Sequence, residues 1–245
     1  MSEMERRRGP AFDRVVGAAS GAGLGILVAL ALGPEVAGVI GNASGPLIEE
    51  LSYATRQILS RQAKRVESAV GEAVTEGGCP LEELIRRSLA DDRRAALLTT
   101  ALQAAAVAQD EATVRALGRA YARGVLSTDD AKVDEQSRVA STLGSLDPMD
   151  VRVLHLLRGG EYWIKRSKED ADSLVIVDAD PGVDDVVDTV VARLATLGLI
   201  TDEATSWGAL GKWQITTFGI RCLTALLEVG YTSAEDDAEH VEDSS

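Results

Sequence analysis

Chemistry at neutral pH needs a group that titrates near 7, an activated thiol, or a set of side chains spaced to hold a metal. This chain offers few such groups. Its only histidines are His155, inside an apolar helical stretch, and His240, in an acidic tail. A lone histidine on a helix reads as a packed residue rather than a base. Cys79 sits between Gly78 and Pro80 with no paired histidine, and Cys222 is far from it in sequence, so neither a nucleophile nor a disulfide framework is indicated. The carboxylate pairs Asp129 and Asp130, and Asp184 and Asp185, fall at helix starts, where capping and the helix dipole account for them. Gly21, Gly23 and Gly25 mimic a dinucleotide loop, but the spacing is not GxGxxG and no βαβ pattern follows. The chain therefore reads as a non-enzyme with no cofactor and no metal.

The elements around these residues belong to a globular chain. It has 245 residues, 45% hydrophobic and 26% charged, with a net charge of -14. That composition excludes collagen and wholesale disorder. The acid excess is uneven: 19 acids meet 17 bases before Leu146, 14 meet 8 from there to Val229, and 6 meet none afterwards. Counterion release on nucleic acid requires clustered bases, so this balance argues against nonspecific binding to DNA or RNA. Residues 231–245 read as a disordered acidic tail, either solvating or able to touch a basic partner. The remainder divides into a Gly/Ala-rich segment at 1–48, a helical domain at 49–145 and a smaller domain at 146–230.

Residues 15–32 (VVGAASGAGLGILVALAL) form an uncharged run of 18, the lower edge of what spans a bilayer as a helix. Gly17, Gly21 and Gly25 recur every four residues, a glycine zipper that would let helices approach closely, with Leu24 and Leu27 among its apolar residues. Arg6, Arg7, Arg8 and Arg14 precede the run, as the positive-inside bias requires of a cytoplasmic N-terminus. Half of the run is Gly and Ala, so insertion is marginal and self-association could decide it. Three readings stay open: a membrane-embedded or membrane-inducible segment, a buried helical hairpin turning at Gly33 and Pro34, and a signal peptide. Against the last, no small-x-small site ends the run, and Pro34 and Glu35 stand where cleavage would fall.

From 51 to 74, Leu51, Ala54, Ile58, Leu59, Val66, Ala69, Val70 and Ala73 repeat at three and four, which predicts an amphipathic helix. Its polar side carries Arg56, Arg61, Lys64 and Arg65, either a solvated face or a layer for anionic headgroups. Helices follow at about 81–90, 92–109, 112–126 and 130–144, with Asp91 and Asp110 placed as caps. The third of these five helices, small and apolar nearly all round at Ala101 to Ala108, is expected at the centre of a bundle.

After 145 the pattern changes. Asp147, Pro148 and Asp150 give an N-cap, a first-turn proline and an acidic third position, and Gly159 and Gly160 stop the helix. A short strand is expected at 173–177 (SLVIV), a helix at 183–199, strands at 199–202 and 212–217, and a closing helix at 219–229. That is the order of a winged helix-turn-helix, with the middle helix between 157 and 183 not evident. The fold class is thus mainly α, a helical bundle followed by a small α+β winged-helix domain. The helix that would read DNA opens with Asp178, Asp180, Asp184, Asp185 and Asp188 and carries only Arg193 as a base, so phosphates would be repelled there. A protein partner is the better expectation, met by Asp184, Asp185, Asp188, Arg193 and Trp207. The basic cluster Lys165, Arg166 and Lys168 is mixed with acids and reads as a solvated loop.

SLDPMDVRVLHLL, VARLATLGLI and WQITTFGIRCLTALL, in that order after a Gly-rich start, resemble the Abi-alpha family of bacterial proteins associated with abortive infection against phage. The resemblance covers about residues 97–229 and rests on the Leu-Asp-Pro helix start, the Leu-Gly-Leu-Ile helix end and the Thr-Thr-Phe-Gly motif. It implies a bacterial, non-enzymatic protein of phage defence, located in the cytoplasm or at the inner membrane, and supplies no catalytic residues. Combined with the residues, it gives an expected effector or sensor that associates with itself and with membrane through the glycine zipper and binds a protein through the winged helix. A soluble oligomeric scaffold and a DNA-binding regulator are the alternatives.

Overall fold

The computed structural model describes residues 46–164, 174–202 and 212–230, with side chains from residue 57 onward. The chain divides into two compact units, residues 1–144 and 145–245.

Five helices make up the described part of the first unit: α1 (Pro46–Gly77), α2 (Leu81–Ser88), α3 (Asp92–Val107), α4 (Glu111–Leu126) and α5 (Asp130–Leu143). Their starts are chemically marked. Asp91, Asp110 and Asp129 each accept backbone N–H groups of the helix that follows, satisfying donors that a first turn otherwise leaves orphaned. The expected central helix, α3, does pack against all four others, but α4 is enclosed further. In α3, Leu97, Leu98, Ala101, Leu102, Ala105 and Ala106 are buried, but Val107 is 60% exposed. The central helix is α4, where Val114, Ala116, Leu117, Ala120, Tyr121, Ala122 and Val125 are all buried and which packs against α1, α2, α3 and α5. Small residues on α3 allow close approach on one side; α4 is enclosed despite Arg115, Arg119 and Arg123, whose long side chains reach out to acids of α1.

The second unit contains α6 (Pro148–Leu157), β1 (Tyr162–Trp163), α7 (Ile176–Ala179), a 3₁₀ turn (Pro181–Val183), α8 (Val187–Thr196), β2 (Ile200–Asp202), β3 (Lys212–Ile215) and α9 (Thr217–Leu227). The sheet is antiparallel with β3 between β1 and β2, pairing Tyr162 with Trp213 and Ile200 with Ile215. The unit is a small α+β domain, as expected, with a four-residue helical turn, α7, between β1 and α8. Two expectations change. The strand placed at 173–177 is displaced to Tyr162–Trp163; Val175 forms only a parallel bridge to Trp163, and Ile176 starts a helical turn that buries its side chain. A run of β-branched residues says buried but cannot by itself distinguish one helical turn from a strand. The helix placed at 183–199 begins at Val187, because Pro181 and Gly182 form the 3₁₀ turn first. Asp178 and Asp180 accordingly belong to α7 and its end, not to the helix that follows.

The Leu-Gly-Leu-Ile and Thr-Thr-Phe-Gly motifs meet in space. The Thr216 N–H donates to the Leu199 carbonyl at 2.8 Å, the Thr216 hydroxyl to the Gly198 carbonyl at 2.7 Å, and the Gly219 N–H to the Thr216 hydroxyl oxygen at 3.0 Å. A Cβ on Gly219 would lie 2.1 Å from the Leu199 carbonyl oxygen, so glycine is required for α9 to start against the end of α8.

Candidate functional site

Two surfaces of the described residues bear on the expected interactions. The first is the leading half of α1. From residue 57 to 65 no side chain is buried: Ile58 is 56% exposed, Arg61 and Lys64 are exposed, and Arg65 is half-buried. From Val66 the helix enters the bundle, with Val66, Ala69, Val70 and Ala73 buried. A helix of 32 residues is about 48 Å long, and only its trailing part is packed among the described residues. That part is held firmly to α4. A Cβ on Gly118 would lie 2.2 Å from the Ala69 carbonyl oxygen, so the two backbones touch at a glycine. Alongside, Arg115 and Arg119 reach Glu72 at 3.1 and 2.6 Å, Arg119 and Arg123 reach Glu76 at 3.6 and 2.7 Å, and Ser68 donates to Glu111. Burial works against the charge on Glu72, yet the hydrogen bonds from Arg119 and Arg115 outweigh it and hold this carboxyl below its ordinary range. Gly17, Gly21, Leu24, Gly25 and Leu27, the flanking Arg6, Arg7, Arg8 and Arg14, and the side chain of Arg56 lie outside the described residues.

The second surface is on the α+β unit. Asp184 and Asp185 in the turn before α8, and Asp188 in its first turn, are exposed together with Asp178, and Val186 among them is 39% exposed. Arg193 is engaged elsewhere. One of its guanidinium nitrogens donates to Asp147 at 2.7 Å and lies 3.3 Å from an Asp150 oxygen, and the other donates to the Ser145 carbonyl. These acids form a capping box at the start of α6: the Asp150 N–H donates to Asp147, and the Asp147 N–H donates to Asp150. Asp150 is completely buried and its second oxygen, Oδ1, has no hydrogen-bond partner. Burial pushes its carboxyl above the ordinary range, helped by the charge of Asp147 and resisted by the Asp147 N–H and Arg193. The acids thus gather in the turn before α8 and at its first turn, while the one base on α8, Arg193, is pinned by two carboxylates. Trp207 and the cluster Lys165, Arg166 and Lys168 lie outside the described residues.

Burial pushes the Cys222 thiol up to about 12, the reverse of what a nucleophile needs. Tyr121, also driven to about 12 by burial, shares a 2.8 Å hydrogen bond with Ser88 inside the bundle. No group of histidines, cysteines and acids among the described residues could hold a metal. An open pocket of about 240 Å³ lies between Arg87, Ala90, Arg94, Val125, Ser127 and Thr128. Its guanidiniums are already held, Arg87 by Glu83 at 2.7 Å and Arg94 by Asp91 and the Ser127 carbonyl, so they do not offer a free anion site.

Several structural residues escaped the sequence reading. Asp150 carries a capping signature, but its ion pair is with Arg193, far along the chain. Asp180, 4% exposed, accepts from Arg152 at 2.6 Å and from the Gly182 N–H at 3.0 Å, and no local pattern foretells the first of these. Among the described residues no helix is long and apolar enough to cross a membrane. No family model matches the chain, and no curated protein or solved structure is significantly similar to it.

Proposed function

We propose that this is a non-enzymatic bacterial protein that attaches to membranes and to copies of itself through residues 15–32, and binds a protein partner through its winged-helix unit. The observation that carries the reading is the leading half of α1. A helix with no buried side chain between 57 and 65 leads from the packed bundle back towards an uncharged Gly-rich run, and it exposes Ile58, Arg61 and Lys64. Exposed bases beside an apolar run suit anionic headgroups, each contributing about 1 kcal/mol near such a surface. The pinning of Arg193 and the exposure of Asp184, Asp185 and Asp188 favour a basic or neutral protein partner over a duplex. Service in phage defence rests on the resemblance of the Leu-Asp-Pro, Leu-Gly-Leu-Ile and Thr-Thr-Phe-Gly segments to the Abi-alpha family.

Flotation with vesicles of phosphatidylethanolamine and phosphatidylglycerol tests the membrane claim. The full chain is expected to float, and a Leu24→Asp, Leu27→Asp double variant to stay at the bottom, because each acid at the centre of an inserted helix costs about 2.5–3.5 kcal/mol. Equal behaviour of the two chains would refute it.

A further inference from the structure

We propose that, away from a membrane, residues 15–32 dock along the outward side of the leading half of α1 in the same chain, so that one surface of α1 serves alternately as a store for the segment and as a basic headgroup contact. This rests on the membrane reading above and adds its regulation. Four observations point to this occupant rather than to a second copy.

The first is the gap in packing. The α1 backbone is helical from Pro46, and its period places Leu47, Leu51 and Ala54 in register with Ile58, which is 56% exposed, before burial begins at Val66. The second is length. Residues 15–32 as a helix would measure about 27 Å and residues 46–65 about 30 Å, so one covers the other. The third is connectivity. Only residues 33–45 intervene, with Gly33, Pro34, Gly38, Gly41 and Gly45 among them. Extended, these 13 residues reach at most about 45 Å, enough for the chain to reverse along α1 while keeping the segment at high local concentration. A second copy lacks that advantage. The fourth is the packing mode already present on α1: at its trailing half α4 seats a glycine, Gly118, directly on the Ala69 carbonyl. Gly17, Gly21 and Gly25 give residues 15–32 the means for equally close contact. The docked segment brings no charge of its own to the stripe. It does cover Ile58 and crowds Arg61 and Lys64, so docking and headgroup binding compete for the same side of the helix.

Disulfide trapping in the full chain tests this, with Cys79→Ser and Cys222→Ala removing the native thiols. Ser20→Cys is paired in turn with Gln57→Cys, Arg61→Cys and Lys64→Cys, all at exposed helix positions. In solution at least one pair is expected to close within a single chain, and that product to be lost when anionic vesicles are added. Dimeric products alone would assign the surface to a second copy and overturn the proposal. No product from any pair, with the bundle's helical signal intact, would overturn it too. Flotation of the same variants reports the membrane reading separately: floating chains without an intrachain product leave that reading standing and remove only the docking. Conversely, Ile58→Asn, at a side chain that is 56% exposed, is expected to lower trapping and raise flotation.

Discussion

Asp150 and Arg193 show how far a local pattern reaches. A capping acid ordinarily sits at the surface and is stabilised in its charged form by the helix start. Here Arg193 and the Asp147 backbone support the charge, but burial prevails and raises the carboxyl's pKa in the fold. A group with a raised folded pKa contributes stability that is complete below its unfolded value and is lost as pH rises through the folded one. Asp150→Asn should therefore gain stability relative to the parent as pH increases across that window, read as the difference in urea midpoints between the two chains. A constant difference from pH 3 to pH 7 would contradict the assignment. Arg193→Ala is expected to destabilise, by about 1–3 kcal/mol, since it leaves the buried Asp150 carboxylate without its cation. The capping box itself was legible in Asp147, Pro148 and Asp150. Its link to Arg193 was not, because 46 residues separate Arg193 from Asp147 and only the tertiary fold joins them.

At the scale of elements, helix starts were readable wherever an aspartate accepts from its own first turn, at Asp91, Asp110 and Asp129. What could not be read was which helix lies at the centre. α3 advertises itself with alanines, but α4 is the buried one, its arginines satisfied by Glu72 and Glu76 of a neighbour. The α1 and α4 pair depends on backbone contact at Gly118. Gly118→Ala must push apart Ala69 and its own helix and is expected to cost about 1–3 kcal/mol by thermal or urea unfolding. A neutral result would mean that the two helices slide freely. In the α+β unit, the exposed Asp184, Asp185 and Asp188 predict no salt-sensitive retention of duplex DNA. Binding at low salt that weakens on Arg221→Ala or Lys212→Ala would contradict the protein-partner reading. The strand at 173–177 misread for a related reason: Val175 and Ile176 are buried, and composition reports burial before it reports conformation.

For the whole molecule, the sequence already separates into a Gly-rich start, a helical bundle and a small α+β domain, and the two compact units divide at Gly144 and Ser145. The expected boundary at 145 follows from a change of signal, with Ala-rich helical repeats giving way to a proline-marked helix and short strands. Function was far less legible. No group of histidines, cysteines and acids among the described residues could hold a metal, and the proposed function rests on surfaces and on a segment whose chemistry is apolar association. The proposed function stands or falls on residues 15–32 supplying the attachment to membrane, with the bases of α1 assisting but unable to hold the rest of the chain there by themselves. The most direct measurement is fractionation of bacteria expressing the full chain beside a chain that begins at Pro46, at matched levels. The full chain is expected in the inner-membrane pellet, resistant to high salt, with the shortened chain in the supernatant. Both chains in the supernatant, or both in the pellet, would contradict the account.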